Sequence, residues 1–129
     1  MKEVVADFQK TVDGLRESLQ LRKSKVVRDS ALLRFQLCFE LAWKAIKVYA
    51  KEQAVECVSP RDAFRTAFQL NLVDYDEEWL MMVTDRNSVT HLYKEDFANE
   101  VYRRLPKYLG LFEELLVNLK KNSRQLTLE

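Results

Sequence analysis

Two glycines and two prolines in 129 residues leave little for building tight hairpins, which argues against a sandwich or barrel made of short strands. Cysteine is equally scarce. Cys38 and Cys57 are too few for a disulfide scaffold and lack the spacing of a zinc site, so free thiols in a reducing compartment are expected, Cys38 in the core and Cys57 in a loop. No stretch approaches the ~20 consecutive apolar residues of a membrane span. Met1 to Lys10 is charged without an apolar run, so no signal peptide is expected and a soluble, cytoplasmic protein is. Neither sign of charge dominates: 21 Lys and Arg stand against 20 Asp and Glu, a net +1. The chain as a whole therefore offers no long-range attraction to a polyanion, and any such binding has to be local.

What is present favours helices. Leu, Ala, Glu, Lys and Arg dominate, and 47% hydrophobic residues suffice for one core in a chain of this length. The expected fold is all-α, a single domain over residues 1–129: an up-and-down antiparallel bundle of four main helices plus a shorter one at Pro60 to Leu70. Val5, Phe8, Val12, Leu15 and Leu19 recur at three- and four-residue steps and mark an amphipathic first helix. The basic run Arg22 to Arg28 reads as a solvated connection, with Asp29 or Ser30 as the cap of the next helix. From Ala31 to Ala50 apolar residues lie nearly all round, leaving a narrow polar stripe in which Glu40 and Lys44 are spaced for an i, i+4 pair. A helix this apolar in so small a chain is either central or shared with a second subunit, and both are expected here.

Ser59-Pro60-Arg61-Asp62 is a helix start, with Ser59 as cap, Pro60 at the first helical position and Asp62 complementing the positive helix end. Phe64, Ala67 and Phe68 are its expected inner face. Asp74, Asp76, Glu77 and Glu78 open a further helix with Trp79, Met82 and Val83 inward. A long closing helix then carries Phe97, Val101, Leu105, Tyr108, Phe112, Leu115 and Leu119 on one face. Pro106 removes one backbone donor inside it, so a kink near Tyr102 to Leu105 is expected, and the tail from Lys120 to Glu129 is expected to fray.

The chemistry concentrates in Trp79 to Phe97, which holds the single histidine: Arg86-Asn87-Ser88-Val89-Thr90-His91-Leu92-Tyr93. On one regular helix Asn87 and His91 would stack, whereas Arg86 would lie ~140° from His91. One helix therefore does not clamp a small group between the two. They converge only if the helix ends near His91 or if two copies of the chain meet across a two-fold axis. Imidazole can take or give a proton at neutral pH, and guanidinium holds phosphate through a planar fork of donors. Together they suit phosphodiester cleavage without a metal, and no clustered metal ligands or cofactor motif accompany them. The plainer alternative is a surface Arg86 paired with Asp85 or another carboxylate and a helix-end His91 interacting with the dipole.

The segment RNSVTHLY resembles the arginine, polar residue, three residues, histidine, one residue, tyrosine signature of HEPN-domain proteins, in the branch paired with minimal nucleotidyltransferases. RFQLCFELAWKAIKVYA from Arg34 and SPRDAFRTAFQLNLV from Ser59 are similar to the same branch, also called nucleotidyltransferase substrate-binding proteins, so the resemblance covers most of the chain. It implies a dimeric ribonuclease toxin in which Arg86 and His91 of both subunits form one RNA-cleaving cleft, with Asn87 as polar support. It also implies that a separate nucleotidyltransferase antitoxin attaches AMP to Tyr93. Two other readings stay open: a non-catalytic module that presents substrate or nucleotide to the transferase, and a purely structural helical dimer.

Overall fold

The computed structural model describes the backbone of residues 1–128 and the side chains of residues 1–122. Among the described residues the chain is all-helical: α1 Lys2–Gln20, α2 Lys25–Glu52, α3 Pro60–Gln69, α4 Glu78–Asn87, a 3₁₀ turn Val89–His91, and α5 Glu95–Leu128. The expected all-α bundle of five helices is what forms, with α4 as short as α3.

α1, α2 and α5 pack pairwise on one another and form the thick part of the molecule. The stripe of α1 closes completely, with Phe8, Val12 and Leu15 fully buried. Phe8 meets Phe112 of α5 edge-on at 6.0 Å, and Phe35 of α2 stacks on Tyr108 of α5 at 5.4 Å. Aromatic pairs of this kind add about 0.5–1.5 kcal/mol each beyond the area they bury. α3 lies against α2, and α4 bridges α3 and α5. No helix among the described residues is long and apolar enough to cross a membrane.

Several boundaries differ from the sequence expectation, each for a physical reason. α2 starts at Lys25, not after Asp29 or Ser30, because the Ser24 hydroxyl oxygen accepts the Val27 amide at 3.0 Å and caps it. The supposed solvated run is thus partly helix, and Arg28 within it is 4% exposed. Its guanidinium donates to Glu95 at 2.6 Å, to Asp29 at 3.0 Å and to Asn99 at 3.3 Å, tying the start of α2 to the start of α5. Ser59 caps α3 by accepting the Asp62 amide at 3.1 Å, as its sequence indicates. On α3, Phe64 and Ala67 are buried but Phe68 is exposed and packs on Tyr75.

α2 and α3 end through residues in the left-handed region, Ala54 at φ 62° and Asn71 at φ 61°. The following amides, Val55 and Leu72, reach back to the carbonyls of Ala50 and Ala67, both at 2.8 Å, which satisfies carbonyls that the helix ends would leave open. α5 continues through Pro106. The missing proline donor leaves the Tyr102 carbonyl without its usual helical partner. α5 stays helical to Leu128, so the fraying expected from Lys120 to Glu129 is not seen in the described backbone, and Glu129 lies outside the described residues. Cys38 is core and Cys57 lies in the α2–α3 loop, as expected, both as free thiols and both buried. Burial pushes the Cys38 thiol up to about 12, so it is protonated and inert at neutral pH.

Candidate functional site

α4 is short because two different demands meet at its end. Trp79, Met82 and Val83 hold its inner face, Trp79 stacking on Phe64 at 4.8 Å. Past Asp85 the chain carries no buried residue until Ala98. The helix stops at Asn87, and a 3₁₀ turn follows in which the His91 amide donates to the Ser88 carbonyl at 2.9 Å. Asn87 and His91 are therefore not stacked on one helix, as a regular continuation would have placed them.

Arg86 turns toward α2. Its guanidinium pairs with the Glu40 carboxylate and sits over the Phe39 ring at 5.3 Å, a cation–π arrangement that holds it in place. The other Glu40 oxygen accepts the Trp43 indole N–H at 3.3 Å. The expected Glu40–Lys44 pair does not form, because Glu40 is engaged by an arginine forty-six residues on. Asn87 Oδ1 accepts from Arg86 at 3.4 Å, which makes it a weak neighbour and not a second anchor.

Asp85 is not the partner of Arg86, since adjacent helical residues do not face each other. Its carboxylate turns inward to α5 and is 3% exposed. Arg104 donates to both oxygens, each at 2.8 Å, and the Tyr108 hydroxyl donates to Oδ2 at 2.6 Å. The hydrogen bond to Asp85 raises Arg104 above the usual arginine range. Burial, and then Asp85, raises Tyr108 above the usual phenol range. This buried cluster was invisible in the sequence, where the only available signal was that a carboxylate on the inner side of α4 requires a partner.

A shallow cleft of about 400 Å³ opens beside Arg86, lined by Leu33, Leu37 and Glu40 of α2 and by Arg86, Asn87 and Val89. His91 and Tyr93 do not line it. Both stand exposed on the turn beyond, Tyr93 at 77%, with the Lys94 ammonium 5.9 Å from its ring. Arg86 and Asn87 thus share the cleft wall, while His91 and Tyr93 lie outside its lining and are exposed. Leu33 and Leu37 are 58% and 47% exposed on the cleft wall, with Val26 at 78% two turns before Leu33 on the same face. Among the described residues, no group of three His, Cys, Asp or Glu side chains is arranged to hold a metal ion.

A short helical arm is thus set against a three-helix core and ends in an Arg-Asn turn followed by an exposed His-x-Tyr. The chain belongs to the nucleotidyltransferase substrate binding protein like family, whose profile matches residues 3–121. No curated protein matches the sequence. Among solved structures, a protein from Thermus thermophilus is 38% identical, with a TM-score of 0.81 over 87% of this chain and 98% of its own. At 22% identity the fold alone is shared with two further proteins. One is from Haemophilus influenzae and has the fold of a nucleotidyltransferase substrate binding domain, with a TM-score of 0.67 over 92% of this chain and 96% of its own. The other is a tri-AMPylated Shewanella oneidensis HEPN toxin bound to an MNT antitoxin, with a TM-score of 0.72 over 92% of this chain and 95% of its own.

Proposed function

We propose that the protein is a ribonuclease toxin whose cleft is completed by a second copy of the chain, and that a minimal nucleotidyltransferase silences it by attaching AMP to Tyr93. The observation that carries this reading is the separation of Arg86 from His91. Within one copy, Arg86 faces the α2 cleft while His91 points outward from the following turn. Two copies joined through the exposed Leu33 and Leu37 face place paired arginines and histidines along one seam. In the reaction, the RNA 2′-hydroxyl attacks the adjacent phosphorus as one His91 imidazole accepts its proton. The other His91, as imidazolium, protonates the departing 5′-oxygen, leaving a 2′,3′-cyclic phosphate. Arg86 exchanges Glu40 for the phosphate oxygens and stabilises their charge. No metal or cofactor takes part in these steps.

Tyr93, at 77% exposure, is open to a modifying enzyme. Its hydroxyl attacks the α-phosphorus of ATP and pyrophosphate leaves. The attached group brings a phosphodiester charge and a nucleoside beside the site, where it competes with RNA for Arg86. The AMPylated state of the Shewanella toxin with its antitoxin supports this reading.

A second reading, a non-catalytic subunit presenting nucleotide or substrate to the transferase, is favoured by the net charge of +1 and by Glu40 already neutralising Arg86. One experiment separates them: purified chain, single-stranded RNA and excess chelator. The ribonuclease reading expects cleavage that survives chelation, drops by ~10²- to 10⁴-fold in His91→Ala and by ~10²- to 10³-fold in Arg86→Ala. It also expects cleavage to stop once the cognate transferase and ATP have added an adenylyl mass to Tyr93. Cleavage that survives both substitutions, or that vanishes with chelator, overturns this mechanism, and cleavage absent from the native chain selects the binding subunit.

A further inference from the structure

From Thr84 to Phe97 the chain carries the whole Arg-Asn-His-Tyr segment, and in that span Asp85 is the single buried residue. Leu92 and Phe97 rest only partly buried against the core, and Glu95 is tied to Arg28 where α5 begins, so at the α4 end of the span the fully buried anchor is Asp85. It holds α5 through three charge-assisted hydrogen bonds, two from Arg104 at 2.8 Å and one from Tyr108 at 2.6 Å, and Tyr108 is itself fully buried. The next residue, Arg86, reaches the other way, to Glu40 of α2. Consecutive residues thus tie the end of α4 to two different helices.

These two ties are not equivalent. Arg86 has to release Glu40 before it can take a phosphate, and its hold on α2 is then reduced to the cation–π contact with Phe39. A buried ion pair is a poor way to add stability, because desolvation offsets most of its attraction and an apolar side chain of similar volume serves as well. What a bidentate arginine–carboxylate pair adds is direction.

We propose that Asp85 is the positioning residue of the Arg86 site, the fixed tie that keeps the end of α4 and the His91 turn in place while Arg86 exchanges Glu40 for phosphate. This rests on the reading of Arg86 as a phosphate-holding residue, and it adds a division of labour within that site. Arg104 and Tyr108 serve as the seat of the tie.

The test compares the native full chain with Asp85→Asn and Tyr108→Phe by residue-resolved hydrogen exchange, and then by RNA cleavage. The expected result for Asp85→Asn is exchange of the Arg86 to Leu92 amides faster by on the order of 10- to 100-fold, the factor that loss of a charged hydrogen bond represents. The amides of α1 and α2 stay as slow as in the native chain. Tyr108→Phe, which leaves the Arg104 pair intact, shows the same pattern at smaller amplitude and decides the matter if Asp85→Asn does not fold. In cleavage, kcat falls by about 10-fold or more with KM little changed, as expected for a misplaced group that does not itself bind substrate. Exchange that rises equally in every helix, or not at all, overturns the proposal, and so does a change confined to KM. The exchange arm needs no RNA, so a native chain that cleaves none defeats the ribonuclease reading while the local exchange pattern still decides whether Asp85 is the tie.

Discussion

The three long helices and the α3–α4 arm use opposite strategies. In the first, apolar rings close on one another: Phe8 on Phe112, Phe35 on Tyr108, with Phe35, Phe112 and Tyr108 at most 1% exposed. In the second, two ten-residue helices lean on that core through Phe64 and Trp79, and the arm's far end is held by two ion pairs, Asp85 to α5 and Arg86 to α2. Isolated helices this short are marginal in water, so the arm exists only because the core offers it a surface. The lesson is a separation of duties. Burial is concentrated in the three long helices, and the residues proposed to be reactive sit where packing asks less of them.

The strongest way to break that contrast is to damage the core. Phe8→Ala removes a fully buried ring that touches Phe112 and is expected to cost about 3–5 kcal/mol. All helices should melt together in one transition, at a lower denaturant midpoint. An arm that outlives α1 in circular dichroism and exchange would show the two regions to be independent.

A smaller effect comes from alkali. Tyr108 in the folded chain ionises above its ordinary value of 10.0, chiefly through burial and then through Asp85. The folded state therefore keeps a proton that the unfolded chain gives up. Its contribution to stability is whole below pH 10.0 and is lost as pH rises through the folded value. Denaturant midpoints followed from pH 8 upward should fall beyond pH 10 in the native chain and fall less in Tyr108→Phe.

The smallest expected change sharpens the contrast in the stabilising direction. Gly110 lies exposed in the middle of α5, and a Cβ there meets nothing within 4 Å. Gly110→Ala should raise stability by about 0.5–1 kcal/mol. The rise should appear in calorimetry while exchange in the Asn87 to Tyr93 turn, which opens locally, stays unchanged.

How much of this is legible in the sequence depends on whether the cause is local. The α1 stripe, the Ser59-Pro60 start and the inward Trp79, Met82 and Val83 can be read from spacing and capping chemistry alone. The burial of Arg28 near the start of α2 cannot, because a run of basic residues gives no sign that one of them finds Glu95 sixty-seven positions away. The same holds for the site. The motif letters Arg86, Asn87, His91 and Tyr93 are recognisable, but helical spacing assigns Glu40 and Asp85 to near neighbours. Their real partners come from helices that only the fold brings beside them. Long-range ion pairs have no periodicity, and so leave no trace in a single sequence.

The absence of any buried residue from Arg86 to Phe97 also bears on how this chain can drift over generations. Apart from Arg86, Leu92, Glu95 and Phe97, which pair or pack with other helices, folding exerts little purifying pressure on this stretch, so the remaining letters are free to wander unless something other than stability holds them. A library of variants across this stretch, sorted first for folding and then for activity, would read that second pressure directly. The letters that survive only the second sort mark the function, with the fold's own requirements already subtracted.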